Sequence, residues 1–298
     1  MILIGIPTYN GGGGRLDAQL ANIRQRTPDS VPHRVVVCDD SGRLEHSSQV
    51  RDVCARYGVD VVVHATNRGV PTAWNTLVRS DPECDAVVLL NDDILVAPDW
   101  LAPVDYAVRS NPGVASFGLN CYFIDQSDVP AILASRTARV APLNVHYRGG
   151  VLIRDERFPA PPDPPDHPPG RVMCPTGCAF AFRRVVWELV GGFDERYFAF
   201  YEETDFGVAC ATHGLPSFVL PHPADNYHLW SATFASAPEI DAGRVMRESR
   251  AAFVAKWRTA TGLKFDDAPE LHLPLMGRIP PVRVRWLGVD GTPREAVL

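Results

Sequence analysis

The chain has 298 residues, 46% of them hydrophobic and 21% charged, with a formal net charge of −6. The length accommodates one large α/β unit or two intimately packed halves, and the composition is that of an ordinary globular protein. The acidic balance argues against a nucleic-acid binder that works by broad phosphate neutralisation, and it leaves the few basic groups for a small anionic ligand.

Residues 2–6 are an apolar run without the basic start or cleavage site of a signal peptide, so they read as a buried strand and the chain as cytoplasmic. The run ends in Pro7-Thr8-Tyr9-Asn10, and four glycines follow at 11–14. These miss the Gly-x-Gly-x-x-Gly frame, which would fall on Leu16 or Asp17, and they read as a flexible loop before a helix carrying Leu16, Leu20 and Ile23. A second strand is expected at 34–38, entering Asp39-Asp40-Ser41. Val50, Val53, Cys54 and Tyr57 follow helical spacing, with Ser47 or Ser48 as N-cap and Gly58 as stop. A strand at 59–63 precedes Asn67-Arg68-Gly69, and Val70, Ala73, Trp74, Leu77 and Val78 form another helical stripe. A fourth strand at 86–90 enters Asn91-Asp92-Asp93.

These strands are rich in Val, Ile and Leu rather than alternating, as expected of parallel strands covered on both faces. Their alternation with helices predicts right-handed crossovers and a doubly wound sheet, whose ligand sits beyond the carboxyl ends of the strands. One polar strand end is a turn; four polar clusters on one rim read as a site.

Beyond residue 95 the pattern predicts a helix at 99–109, strands at 114–119 and 178–182, a helix at 184–190 and the turn Gly191-Gly192-Phe193-Asp194. A helix from Glu202 to Gly214, a strand at 217–220 and a terminal helix at 239–257 follow. Residues 158–170 contain seven prolines and read as a stiff, extended surface loop; the Pro-rich tail is left without an element. No apolar stretch approaches the roughly 20 residues that span a bilayer, which still permits peripheral membrane contact. Seven scattered cysteines read as reduced, mostly buried thiols. The first lysine is Lys256, so the first 255 residues cannot supply a P-loop or Schiff-base lysine.

Three clusters can carry chemistry. Acids at Asn91-Asp92-Asp93 can hold a hard divalent cation that bridges a diphosphate, or they form a solvated turn. Asp39 and Asp40 can accept from a ribose or a base N–H, or belong to a turn. Glu202-Glu203-Thr204-Asp205, after the aromatic run Tyr197 to Tyr201, can supply a base that takes the proton of an acceptor hydroxyl; acids also suit the first turn of a helix. His228 is structural or a metal ligand.

In order, these segments resemble a family 2 glycosyltransferase of the GT-A fold, near the rhamnosyltransferase and galactofuranosyltransferase branch. Ile6-Pro7-Thr8-Tyr9-Asn10, Val36-Val37-Cys38-Asp39-Asp40, Asn67-Arg68-Gly69 with Asn75, Leu89-Leu90-Asn91-Asp92-Asp93, Thr176-Gly177-Cys178 through Arg183-Arg184, and Gly191-Gly192-Phe193-Asp194-Glu195 before Glu202-Glu203-Thr204-Asp205 carry the likeness, over about residues 2–230. It implies a Rossmann-like, mostly parallel sheet with helices on both faces and a C-terminal helical extension. Residues 1–95 would bind the nucleotide-sugar donor, 96–235 the acceptor, and 236–298 would form the extension. It assigns Pro7, Thr8, Tyr9, Asn10, Asp39, Asn67, Arg68, Gly69, Asn75, Asp92 and Gly177 to the donor. Glu203, supported by Glu202 and Asp205, becomes the base of an inverting displacement, and Asp93 with His228 the ligands of Mn²⁺ or Mg²⁺. The donor would be a UDP-, dTDP- or GDP-linked sugar, the acceptor a carbohydrate or other hydroxyl, with no nucleic acid involved. Two alternatives stand beside this: a sugar-1-phosphate nucleotidyltransferase, disfavoured by the missing lysines, and a non-catalytic carbohydrate- or nucleotide-binding module.

Overall fold

The computed structural model describes residues 1–119, 121–124, 129–134, 146–147, 168–221, 226–229, 237, 239–261 and 279–298. Most of the Pro-rich segment 158–170 lies outside the described residues. The first half alternates strand and helix: β1 (Ile2–Thr8), α1 (Arg15–Arg26), β2 (His33–Asp39), α2 (Leu44–Tyr57), β3 (Asp60–Val63), α3 (Val70–Ser80) and β4 (Ala86–Leu90). Then come β5 (Ile94–Val96), α4 (Leu101–Ser110), β6 (Ser116–Gly118), β7 (Cys121–Phe123), α5 (Val129–Ala134), β8 (His146–Tyr147), β9 (Gly170–Val172), β10 (Ala179–Arg183), α6 (Arg184–Val190), α7 (Glu202–Thr212), β11 (Ser217–Val219), β12 (Asn226–His228), α8 (Ala242–Thr261), β13 (Arg283–Leu287) and β14 (Pro293–Val297).

The main sheet runs β3-β2-β1-β4-β10-β6-β11-β9. Its first four strands are mutually parallel, β10 is antiparallel to both neighbours, and β11 is parallel to β6. Alternation along β1 divides the core: Ile2, Ile4 and Ile6 pack with Leu16 and Leu20 of α1 and Val104 of α4, while Leu3 packs on the other face with Trp74, Leu77, Phe180 and Phe206. Burying each such side chain contributes roughly 1.5–3 kcal/mol, which fixes the strand register against a one-residue slip.

A second sheet, β5-β12-β7-β8, crosses the rim of the first. Its register sets His228 opposite Ile94, one residue beyond Asp93, and Leu229 N–H donates to the Asp93 carbonyl at 3.0 Å. Helix α8 packs Phe253 and Trp257 against Tyr197, Met173 and Val208.

Two local expectations are corrected. Helix α2 begins a turn upstream of Ser47, because Ser47 N–H already bonds the Arg43 carbonyl at 3.0 Å, and Arg43 rather than a serine stands at the N-cap. The tail is not featureless among its described residues: β13 and β14 form a hairpin whose Val284 and Trp286 enter the core. Asn111 secures it, its amide oxygen taking Arg285 N–H at 2.8 Å and its amide nitrogen giving to the Arg285 carbonyl at 2.8 Å. All seven cysteines are free and buried. Among the described residues no helix is long and apolar enough to cross a membrane.

Candidate active site

β1, β2 and β3 end in register, Thr8 beside Asp39 and Asp39 beside Val63, and their polar ends are tied together. Asp40 N–H donates to the Thr8 carbonyl and His64 N–H to the Asp39 carbonyl, both at 2.9 Å, while Asn10 N–H meets Ser41 Oγ at 2.8 Å. The Asp40 carboxylate reaches across to the loop after β3, accepting Arg68 N–H at 2.9 Å, Gly69 N–H at 2.7 Å and His64 Nδ1 at 2.7 Å. Burial pushes this carboxyl up, against the pull of those three donors. Gly69 has a φ of +86°, and a Cβ there would stand 2.3 Å from the Phe198 carbonyl oxygen, so only glycine fits. The loop is thus gripped between Asp40 and the aromatic run, which also accepts Val70 N–H at the Phe198 carbonyl, 2.8 Å away.

The cleft so formed is lined by Pro7, Thr8, Tyr9, Asp40, Asn67, Gly69, Asn91 and Asp92, with apolar walls from Val70, Ala73, Phe198, Ala199 and Ile240. Asp39 and Asn10 lie behind its lining. Asp39 Oδ1 accepts from Ser41 N–H at 3.0 Å and from the Ser41 hydroxyl, and its Oδ2 is buried without a hydrogen-bond partner among the described residues.

Asp92 and Asp93 do different work. Thr8 Oγ1 donates to Asp92 Oδ2 at 2.7 Å, and Arg15 Nε stands 3.8 Å from Asp92 Oδ1. Burial raises the Asp92 carboxyl to about 6, Arg15 opposing and Asp93 adding to the rise. Asp93 Oδ1 lies 3.2 Å from His228 Nε2, and both side chains are buried. Burial alone would lower the imidazole, but Cys178 and Asp93 hold it up, at about 10. An oxygen and a nitrogen ligand at this spot fit Mn²⁺ well, and the carboxylate suits Mg²⁺. Among the described residues no cluster of three or more His, Cys, Asp or Glu is arranged as a metal cage.

Glu203 stands in the first turn of α7, just after Phe200 and Tyr201, which both hold positive φ at 64° and 68°. Each such residue costs of order 1–3 kcal/mol, and the surroundings enforce it: Ser249 Oγ bonds the Ala199 carbonyl at 2.7 Å, and Tyr201 packs on Phe253 at 5.3 Å. A Cβ on Gly177 would lie 2.9 Å from the Trp74 ring and 3.4 Å from the Glu203 carboxyl carbon. The next residue, Cys178, accepts Asn91 N–H at its carbonyl, 2.9 Å away, and sets its thiol against His228. Glu203 and His228 therefore approach two adjacent residues, Gly177 and Cys178. Glu202 is buried beside Glu203, its carboxyl pushed well up by burial and by the Glu203 charge.

Three expected site residues face elsewhere. Asn75 is fully engaged: Oδ1 accepts Trp187 Nε1 at 2.9 Å and Phe193 N–H at 3.0 Å, and Nδ2 donates to the Phe193 carbonyl at 2.8 Å and Glu195 Oε1 at 2.9 Å. It is the clamp of the Gly-Gly-Phe-Asp-Glu turn and has no group left for a donor. Asp205 takes Tyr197 Oη at 2.9 Å, Trp257 Nε1 at 2.8 Å and Lys256 Nζ at 2.7 Å, which docks α8 onto α7. The Arg68 guanidinium turns to Glu195 at 3.5 Å. Asp40, expected as an acceptor for a ribose or a base, instead organises the loop, and two residues given no role from the sequence also matter: Arg15 beside Asp92, and Glu239, which accepts Tyr9 Oη at 2.8 Å and so holds Ile240 at the cleft. The paired Asp39-Asp40 was a visible signal for Asp40; nothing local marked Glu239.

The family model described as "Glycosyltransferase like family 2" matches residues 2–260. No curated protein matches the chain. Among solved structures it is similar to GalNAc-T7 with UDP, GalNAc and Mn²⁺, at 17% identity and a TM-score of 0.64, with 96% of this chain and 60% of that one covered. It is also similar to S. aureus TarS 1–349 in complex with UDP-GlcNAc, at 15% identity and a TM-score of 0.55, covering 88% and 68%. A third is the mannosyltransferase PcManGT from Pyrobaculum calidifontis in complex with GDP-Man and Mn²⁺, at 18% identity and a TM-score of 0.53, covering 93% and 79%. At these identities the likeness is one of fold, the GT-A arrangement, and the chain spans only 60% of the GalNAc-T7 chain.

Proposed function

Since the chain belongs to the Glycosyltransferase like family 2, we propose that it is an inverting, metal-dependent enzyme that moves a sugar from a nucleoside diphosphate onto an acceptor hydroxyl. The observation that supports this reading is that Glu203 approaches Gly177 while His228, paired with Asp93, approaches the adjacent Cys178, and that Asp92 lines a cleft at the carboxyl rim of a doubly wound sheet.

In this mechanism the nucleoside lies in the cleft, and Asp39 Oδ2 accepts a base N–H. Asp40 holds the Arg68-Gly69 backbone against the donor. Asp93 and His228 hold Mn²⁺ or Mg²⁺, which supplies positive charge against the leaving diphosphate. Glu203 takes the proton of the acceptor hydroxyl as its oxygen attacks the anomeric carbon from the face opposite the leaving group. The Mn²⁺ in two of the similar structures supports the metal, and their UDP, GDP-Man and UDP-GlcNAc support a sugar nucleotide as donor. The finer assignments are part of the same proposal: the rhamnosyltransferase and galactofuranosyltransferase branch, a cytoplasmic site of action, and the division of residues 1–95 and 96–235 into donor and acceptor halves.

A thermal-shift panel of UDP-, dTDP- and GDP-sugars, with and without Mn²⁺, tests the reading. A metal-dependent rise in melting temperature for one nucleotide class, followed by donor hydrolysis or transfer, is expected. No stabilisation by any nucleotide sugar would overturn it.

A further inference from the structure

One wall of the nucleotide cleft comes from far down the chain. Its described lining is drawn from residues 7–92 and 198–199, with Ile240 as the one contribution of the C-terminal extension. Ile240 N–H bonds the Ala237 carbonyl at 3.0 Å, and Asp241 caps α8, its carboxylate accepting Arg244 N–H at 2.9 Å. The turn at 239–240 is thus set on its downstream side by a helix that Lys256 docks onto Asp205 of α7.

The other anchor of this turn is Glu239. Its carboxylate accepts Tyr9 Oη at 2.8 Å and Arg43 Nη2 at 3.4 Å. Its own backbone N–H, the Tyr9 hydroxyl, Arg43 and the Asn10 side chain all draw the carboxyl below its ordinary value. Tyr9 and Asn10 follow β1 and Arg43 follows β2, whereas Asp93 follows β4, on the other side of β1. Glu239 therefore acts at the end of the rim away from the pair that would hold the ion, which is the nucleoside end. An exposed contact of this kind contributes little to global stability, and Glu239 is 39% exposed. Ordering the cleft is a separate matter. A tyrosine side chain has two torsions, so a partner on its hydroxyl fixes the whole ring.

We propose that Glu239 is a positioning residue of the donor site, tying the C-terminal extension to Tyr9 and so presetting the Tyr9 ring and Ile240 as walls for the nucleobase. The proposal rests on the glycosyltransferase reading and adds the extension to the donor half of the site. A planar base gains most from flat apolar walls that are in place before it arrives, because walls ordered only on binding subtract their lost freedom from the affinity.

The test is calorimetric titration of the whole chain in Mn²⁺ with UDP, GDP and dTDP, then with the monophosphate of whichever base binds best. Glu239→Ala is expected to weaken diphosphate and monophosphate by the same factor, about 3- to 10-fold, the weight of one hydrogen bond. Glu239→Gln keeps an acceptor for Tyr9 Oη and should bind within about 2-fold of wild type. Adding Tyr9→Phe to Glu239→Ala should cost under about 2-fold more, since the bond it removes is already gone. Wild-type affinity in Glu239→Ala, an equal loss in Glu239→Gln, or a loss for the diphosphate that exceeds that for the monophosphate would each overturn the proposal. A wild type that binds none of these nucleotides overturns the underlying reading, and this proposal with it.

Discussion

His228 Nε2 and Asp93 Oδ1 stand 3.2 Å apart inside the protein, although 135 residues separate them in the chain. The pair exists because β12 lies antiparallel to β5, which places the end of one strand beside the start of the other. A histidine and a carboxylate in this position attract each other, and a divalent cation would take the place of the proton between them. Chelation of divalent ions is expected to abolish sugar transfer, and Mn²⁺ to restore it. Asp93→Asn and His228→Gln should each lower Mn²⁺ affinity at least about tenfold, read by titration of the ion alone. Unchanged Mn²⁺ binding in both variants would remove these residues from the metal site.

Glu203→Gln keeps the shape of the side chain and removes its ability to take a proton. Turnover is expected to fall about 10²- to 10⁴-fold, the usual contribution of a general base, with donor affinity within a few-fold of wild type. Turnover equal to wild type would assign the base elsewhere.

Gly177→Ala inserts a methyl group 2.9 Å from the Trp74 ring and 3.4 Å from the Glu203 carboxyl carbon. Trp74 is fully buried and packed edge-on against Phe180 and Phe193, so Glu203 is the neighbour that gives way. The expected result is a loss of about 1–3 kcal/mol in stability and a larger drop in kcat than change in KM. A variant with normal kcat would show that the contact does not position the base.

Asn75→Ala leaves the Trp187 and Phe193 N–H groups and the Phe193 carbonyl without their partner. A loss of about 1–3 kcal/mol per buried group left unsatisfied is expected in chemical denaturation. Nucleotide affinity of the folded fraction should be unchanged. Weaker donor binding without lost stability would return Asn75 to the donor site.

Acid should loosen the joint between α7 and α8. Asp194 is held far below the usual carboxylate range, chiefly by Arg196, with burial opposing and Lys256 assisting at 2.9 Å. A depressed folded-state value means its contribution is present above the unfolded value of about 3.9 and is lost as pH falls below it. Lys256→Met should therefore destabilise the protein by about 2 kcal/mol at neutral pH and flatten the decline in stability below pH about 4. An unaltered acid limb in Lys256→Met would show that the pair is not coupled to folding.

The sequence by itself determined the doubly wound half of this protein. Runs such as Ala86–Leu90 are apolar on both faces and can only be interior strands, and Gly58 and Gly191 end helices where their spacing says they should. Polar residues at the ends of those runs had to share a rim, because parallel strands joined by helices all point the same way. Facing was a different matter. Asn75 and Asp205 sit in the right motifs and turn inward to clamp a turn and a helix, while Asp40 reaches from the cleft to grip the Arg68-Gly69 backbone. The hairpin after α8 and the approach of β12 to β5 were likewise settled only in three dimensions. Periodicity reports which residues are buried along one element, since that depends on local geometry. Which buried polar group meets which depends on packing between segments distant in the chain, and no local pattern encodes it.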